Sequence, residues 1–353
     1  MNSIEIQTVS DIRASIEAPP SKSYTNRALI ITALANGKSI IENPLLSDDT
    51  LYLTQALRKY GISITQGMKI LTVKGGVTNL KAPTEEIFIG NAGTTMRFLT
   101  TFAALIPGKT CLTGDKRMQE RPVGDLLSCL RSMGVDARSV KNNLCPPVLI
   151  HGGSVNGNKV TITGNQSSQF ITSILLCAPY FQNDTQIKVV KDLTSKSYVD
   201  ITLDIMKTFG ITVENDHYQT FRIAAGQHYF PKTYRIEGDA SSASYFMAAA
   251  AITGGEVTVT GLNPKGIQGD NHFADVLEKM GCQVKRSANE IVILGNELRG
   301  ININMNNMPD TAQTLAVTAL FAKGDTTIRG IGNLRIKETN RITALAQELS
   351  RLG

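Results

Sequence analysis

The chain has 353 residues, 42% hydrophobic and 19% charged, with a formal net charge of +6. That length exceeds one ordinary core, so two domains are expected, and the composition excludes a disordered or fibrous chain. Its apolar stretches run to about ten residues, too short to cross a bilayer, and residues 1–14 carry no basic flank before an apolar run, so a cytoplasmic chain without a secretory signal is expected.

Taken in chain order, the elements repeat. A short polar turn before a strongly apolar stretch occurs at Ser21-Lys22-Ser23, Gly93-Thr94-Thr95, Ser167-Ser168-Gln169, Ala240-Ser241-Ser242 and Pro309-Asp310-Thr311. From Ser23 through Thr94, Ser168 and Ser242 to Thr311 the intervals are 71, 74, 74 and 69. An amphipathic stretch ending in glycine keeps step at Gly61, Gly134, Gly210, Gly281 and Gly353, with intervals of 73, 76, 71 and 72. A fixed period means copies of one structural unit.

Each unit opens with a strand-like run: Ile87-Phe88-Ile89, Val160-Thr161-Ile162, Tyr234-Arg235-Ile236 or Ile301-Asn302-Ile303. After the turn comes a helix apolar nearly all round, over 28–35, 96–106, 170–178, 245–252 and 315–322. Such a helix must be covered on every side. The second helix has one apolar stripe, as in Val123, Leu126, Leu127, Leu130 and Met133, or Ile342, Leu345, Ala346, Leu349 and Leu352. Strand-like pairs follow the closing glycine, a helix stop. The unit therefore reads β-α-β-α-β-β.

The turns concentrate reactive groups. Each lies at a helix N-terminus, where free N–H groups and the helix dipole attract anions. Ser23 and Arg27 are spaced i, i+4, and so are Lys337 and Arg341, which places each pair on one helix face; Arg121 precedes another helix. Each cation alone also fits a solvated surface charge, but recurrence at corresponding places favours a site for small anions. There is no Trp and no basic run with aromatic interleaving, which argues against nucleic acid. His151, His217, His228 and His272 lie outside the turns, and no His/Cys/Asp cluster has metal spacing. The five cysteines, at 111, 129, 145, 177 and 282, show no zinc-ligand or redox-pair spacing and are expected to be reduced. Acid–base work falls to carboxylates and lysine; Asp310 and Glu338 are best placed, although Asp310 fits a helix N-cap equally well.

The segments Pro20-Ser21-Lys22-Ser23 to Arg27-Ala28-Leu29, Gly90-Asn91-Ala92-Gly93-Thr94-Thr95-Met96-Arg97 and Arg335-Ile336-Lys337-Glu338-Thr339-Asn340-Arg341 resemble motifs of the 5-enolpyruvylshikimate-3-phosphate synthase family. Arg121-Pro122-Val123-Gly124-Asp125-Leu126, Ser167-Ser168-Gln169-Phe170 and Ser195-Lys196-Ser197-Tyr198-Val199-Asp200 are similar too. The resemblance implies a two-domain inverse α/β barrel of β-α-β-α-β-β repeats, five of an expected six being present. The first domain would span 19–236, and the second 1–18 plus 237–353, C-terminally incomplete. A cleft between them would close on phosphoenolpyruvate and shikimate 3-phosphate, the enolpyruvyl group moving to the 5-hydroxyl with release of phosphate. No metal or organic cofactor, no nucleic acid or membrane partner and a monomer are expected.

By the same resemblance, Lys22, Gly93, Arg121, Gln169 and Arg341 would contact phosphoenolpyruvate. Lys22, Ser23, Arg27, Ser167, Ser168, Gln169, Ser195, Asp310, Asn333 and Lys337 would hold shikimate 3-phosphate. Asp310 is the candidate to take the hydroxyl proton, and Glu338 and Lys22 are the candidates to protonate the methylene carbon. Phe98 departs from the Pro of many relatives, which leaves sensitivity to glyphosate open. A chain that truly stops at Gly353 would lack an Asp-His-Arg segment and a late Lys of the family, and activity lower by orders of magnitude would be expected of it. The alternatives are a related enolpyruvyl transferase acting on UDP-N-acetylglucosamine, or a truncated form that binds anions without turnover. The first carries a Cys in the loop before its Arg-Pro, where this chain has Lys116-Arg117-Met118-Gln119-Glu120; Cys111, ten residues before Arg121, reads as structural.

Overall fold

The computed structural model describes residue 5 and residues 7–352. The chain divides into two compact units. One comprises Pro20–Ile236 and Gly332–Ala344; the other comprises the described residues of Met1–Pro19, Glu237–Ile331 and Leu345–Gly353.

The Pro20–Ile236 unit contains three four-stranded sheets of one design. In chain order of the repeat the strands lie first, second, fourth, third: Ile87–Phe88 beside Gly108–Thr113, then Val148–Gly152, then Asp136–Ser139. The first pair is parallel, as in Asn158–Thr163 with Thr185–Val190, and the others are antiparallel. A parallel neighbour needs a crossover, and the apolar helix provides it. Helices Lys22–Leu34, Gly93–Ala104 and Ser168–Cys177 pack on one another, and nearly all their residues are buried. Their lack of a polar face follows from that position. Among the polar side chains inside, Thr101 Oγ1 lies 2.5 Å from Ser173 Oγ, whose hydroxyl donates to the Arg97 carbonyl at 2.6 Å. The second helices, Asp48–Lys59, Gly124–Ser132 and Lys196–Thr208, bury one stripe each. Gly61, Gly134, Gly210 and Gly281 stop their helices at φ between +87° and +118°, a conformation that costs glycine little. Gly353, the fifth marker, lies outside the described residues.

One strand assignment is corrected. Thr233–Arg235 does not begin the fourth unit's sheet; it pairs in parallel with Gly37–Glu42 of the first. The fourth sheet takes its first strand from Arg13–Glu17, paired with Glu256–Thr260. A β strand of the right apolar pattern fits either sheet, and local sequence carries no signal for the exchange.

In the other unit, the sheet Arg13–Glu17, Glu256–Thr260, Glu290–Leu294, Gln283–Arg286 repeats the design, and Asn302–Asn304 pairs with Thr327–Arg329. Helices Ala240–Thr253 and Ala312–Ala319 pack together. Their expected burial on every side does not hold: Tyr245, Phe246, Val317, Leu320 and Phe321 are exposed. Two core helices cover each other on one flank only, whereas three enclose a common centre. Among the described residues no sheet closes on itself, and no helix is long and apolar enough to cross a membrane.

Candidate active site

Bonds between the first turns of the core helices of the Pro20–Ile236 unit define the site. Lys22, first residue of its helix, lies 3.2 Å from the Asp49 carboxylate. The Asp49 carbonyl accepts from Thr95 Oγ1 at 3.2 Å, and Gln169 Nε2 donates to Thr94 Oγ1 at 3.1 Å. Four helix N-termini, those of Lys22–Leu34, Asp48–Lys59, Gly93–Ala104 and Ser168–Cys177, are thereby linked, and such termini carry backbone donors. Ser167 caps its own helix by accepting from the Gln169 N–H, and Ser168 is buried behind it. Ser195 takes a left-handed conformation, φ 56° and ψ 50°, which costs a non-glycine residue about 1 kcal/mol. The Asn333 amide donates toward Thr194 Oγ1 at 3.2 Å and Ser195 Oγ at 3.5 Å, while its buried Oδ1 has no hydrogen-bond partner among the described residues.

Arg27 is buried, and burial lowers its guanidinium to about 10. It donates to Thr202 Oγ1, the Ser23 carbonyl and the Tyr198 carbonyl at 2.8 to 2.9 Å, and it lies over the Phe98 ring. The expected meeting of Ser23 and Arg27 thus occurs through the backbone.

The second cluster is cationic. Arg121, 2% exposed, donates to the Asn91 carbonyl and Oδ1 at 2.8 and 3.0 Å and to Glu338 Oε1 at 3.4 Å. Arg341 reaches Glu338 Oε2 at 2.6 Å. Burial alone would push the Glu338 carboxyl up; the Arg341 and Arg121 guanidiniums outweigh it and hold it at about 2. Burial lowers Arg121, against the attraction of Glu338 and Asp49. Gly93 packs under this guanidinium: a Cβ there would stand 2.2 Å from Arg121 NH2. Behind both, Arg97 is buried and bridges the Gly93 and Pro122 carbonyls at 3.0 and 2.9 Å. Burial, and then the like charge of Arg121, bring Arg97 down to about 9. Three guanidiniums lie around the Glu338 carboxylate, and the Asp49 carboxylate is paired with Lys22, so the cluster carries net positive charge and is receptive to a multiply charged anion.

Lys337 and Arg341 do not share a helix face as their spacing suggested. The stretch Gly332–Ile336 is a 3-10 turn, and the helix starts at Arg341, where Asn340 Oδ1 accepts from the Thr343 N–H. The contact that matters is the i, i+3 pair Glu338–Arg341. Asp310 belongs to the other unit, half-buried on the turn Pro309–Thr311. It is not the residue that caps the following helix; that position is Thr311. Asp49, Asn91, Arg97 and Arg117 also belong to this neighbourhood. Asn91 and Arg97 stand inside a motif already singled out, whereas Asp49 and Arg117 carry no sequence signal beyond charge. Among the described residues, no group of three His, Cys, Asp or Glu side chains is arranged to hold a metal ion.

The family model described as EPSP synthase (3-phosphoshikimate 1-carboxyvinyltransferase) matches residues 6–353. The chain belongs to the EPSP synthase family. Relatives named 3-phosphoshikimate 1-carboxyvinyltransferase agree along its whole length. The protein of Pseudoalteromonas translucida (strain TAC 125) is 45% identical over 356 residues, covering 100% of this chain and 84% of the relative. That of Escherichia coli (strain SMS-3-5 / SECEC) is 46% identical over 358 residues, covering 100% and 83%. Among solved structures, an EPSP synthase from Acinetobacter baumannii superposes with a TM-score of 0.80 at 27% identity, over 96% of this chain and 78% of that one. An EPSP synthase likeness that runs through both groups of repeats matches the β-α-β-α-β-β design and its α/β fold class.

Proposed function

We propose that the cationic end of the Pro20–Ile236 unit is where this chain handles its two anionic substrates. As a member of the EPSP synthase family it is a 3-phosphoshikimate 1-carboxyvinyltransferase. It transfers the enolpyruvyl group of phosphoenolpyruvate to the 5-hydroxyl of shikimate 3-phosphate and releases phosphate, in the shikimate pathway that leads to aromatic amino acids. The observation that carries the site reading is Glu338 suspended between Arg121 and Arg341, beside a Gly93 that leaves no room for a Cβ.

In this reading the carboxylate and phosphate of phosphoenolpyruvate take Arg121 and Arg341 over from Glu338, with Lys22, Gly93 and Gln169 completing that end. Ser23, Arg27, Ser167, Ser168, Gln169, Ser195, Asn333 and Lys337 hold shikimate 3-phosphate, together with Lys22 and Asp310. The 5-oxygen attacks C2 of phosphoenolpyruvate as Asp310 takes the hydroxyl proton, and the methylene carbon gains a proton. Lys22 is taken as the donor at that step, and Glu338, which burial inclines toward taking up a proton once the substrate holds its two guanidiniums, as the acceptor. When phosphate departs with its C–O bonding pair, Glu338 takes the proton that leaves the methyl carbon. The arginines stabilise the tetrahedral intermediate's phosphate.

We further take 19–236 and 1–18 plus 237–353 as the two domains, and the protein as a cytoplasmic monomer without metal, organic cofactor, nucleic-acid or membrane partner. Phosphate release from phosphoenolpyruvate, followed with shikimate 3-phosphate or with UDP-N-acetylglucosamine as acceptor, tests the activity. Release with shikimate 3-phosphate alone is expected; release with the UDP-sugar alone overturns the reading.

A further inference from the structure

The 332–344 segment, which carries Asn333, Lys337, Glu338 and Arg341, begins and ends in chain that belongs to the other unit. Its place in the Pro20–Ile236 unit therefore rests on noncovalent bonds. Asn333 supplies one anchor and Asn91 another, its amide donating to the Glu338 carbonyl at 3.2 Å. The Arg121–Glu338 ion pair is a third but joins two groups that must part when a substrate anion arrives. Between these lies Arg117. Its Nε and NH2 both donate to the Lys337 carbonyl, at 3.3 and 3.1 Å, and NH2 reaches the Arg335 carbonyl at 3.4 Å. NH1 is paired with Glu120 at 3.1 Å, which fixes the plane of the fork. Arg117 sits just before the short turn Met118–Glu120 that leads into Arg121. One side chain thus ties the backbone on either side of the ion pair: the turn before Arg121 and the residue before Glu338.

We propose that Arg117 is a positioning residue for the transfer reaction, clasping the 335–337 backbone so that Glu338 stays in register with Arg121 and Arg341. This rests on the reading of those three residues as the phosphoenolpyruvate end of the site. The bonds made by Arg117 go to main-chain carbonyls, so they do not compete with substrate anions. They persist when Glu338 gives up its arginines, and the carboxylate is then held where a proton must be taken. Lysine cannot reproduce the grip, because one ammonium does not span two carbonyls and a carboxylate in a single plane.

The test is a double-mutant cycle in the full chain, with Arg117→Ala, Glu338→Gln and the two together, read by steady-state phosphate release. Arg117→Ala is expected to lower kcat about 30-fold, the worth of a charge-assisted hydrogen bond of about 2 kcal/mol. In the Glu338→Gln background the same change is expected to cost about threefold or less, since a residue that acts through Glu338 has little left to lose. Low millimolar guanidinium should restore part of the activity of Arg117→Ala, and sodium chloride of equal strength should not. Additive losses, or full activity of Arg117→Ala, overturn the proposal. Full activity of Glu338→Gln instead overturns the site reading beneath it. If Arg117→Ala fails to fold, Arg117→Lys takes its place in the cycle, with a smaller expected loss and the same demand for non-additivity.

Discussion

At the scale of single residues, the site is built by guanidiniums whose positions are set from behind. Gly93 is the tightest example. A methyl group there meets Arg121 at 2.2, 2.6 and 2.8 Å from NH2, Cζ and NH1, so the guanidinium must move. Gly93→Ala should raise KM for phosphoenolpyruvate about tenfold or more, the cost of shifting a bidentate anchor by an ångström. KM for shikimate 3-phosphate should change little, because Arg27 and Ser195 are not displaced. Equal effects on both constants would contradict the division of the site. Glu338 gives a prediction in pH. Its ordinary value is 4.5, and in the folded chain Arg341 and Arg121 hold it at about 2. A depressed carboxyl adds stability that is complete above its unfolded value and disappears as pH falls toward its folded one. The difference in urea stability between the parent chain and Glu338→Gln should therefore stay constant from neutral pH to about 5 and shrink below it. A difference that does not move with pH would mean that the ion pairs do not hold in solution.

At the scale of elements, each repeat solves the same packing problem, and glycine marks where. The last residue of the strand Val148–Gly152 passes the end of helix Gly93–Ala104 so closely that a Cβ on Gly152 would lie 2.1 Å from the Ala103 carbonyl and 2.6 Å from that of Ile106. A Cβ on Gly75 would lie 2.0 Å from the Thr32 carbonyl, and one on Gly295 2.2 Å from that of Ala250. Backbone carbonyls at a buried helix end cannot step aside as a side chain tip can. Gly152→Ala should cost about 3 kcal/mol of stability, measured by urea unfolding, with kcat of the folded fraction unchanged. A loss below about 1 kcal/mol would show that the strand can slide outward. This crossing also separates what could be read in advance from what could not. The core helices were legible because Met96 to Ile106 is apolar nearly all round, and the closing glycines because only they end each stripe. The β-α-β order followed from period and turn chemistry alone. The exchange of Thr233–Arg235 and Arg13–Glu17 between sheets was not legible, since edge pairing is decided by which partner is nearby in three dimensions. The same holds for Arg117, whose partners are main-chain carbonyls more than two hundred positions away. Of the candidate site, Lys22, Gly93, Arg121 and Glu338 stood out through motifs, while the helix face assumed for Lys337 and Arg341 failed because Asn340 starts the helix later.

At the scale of the whole molecule, the chain passes from one unit to the other at Pro19–Pro20, Ile236–Glu237, Ile331–Gly332 and Ala344–Leu345. Within each unit a strand pairs with one far away in sequence, Thr233–Arg235 with Gly37–Glu42 and Arg13–Glu17 with Glu256–Thr260, so repeats cannot be trimmed one at a time without opening a sheet, unlike the terminal units of a simple stack. The charge of the whole chain matters as well. A formal excess of +6 surrounds a cluster in which Arg97, Arg121 and Arg341 outnumber Glu338, and both substrates are polyanions. A field of that sign draws anions toward the site before any contact forms, and salt weakens it over a screening length of about 10 Å at 0.1 M. Raising sodium chloride from about 0.02 to about 0.2 M should therefore lower kcat/KM for each substrate about fivefold. The loss should fall on KM, because groups already in contact inside a buried cluster are screened far less than an approaching ion. Arg97 and Arg121 are almost fully enclosed, so kcat should stay within about twofold over the same range. Reversing two surface lysines remote from the cluster, Lys159→Glu and Lys188→Glu, should flatten the salt dependence without changing kcat. A kcat/KM indifferent to salt in the parent chain would assign recognition to the short-range contacts alone and leave the positive excess without a part in capture.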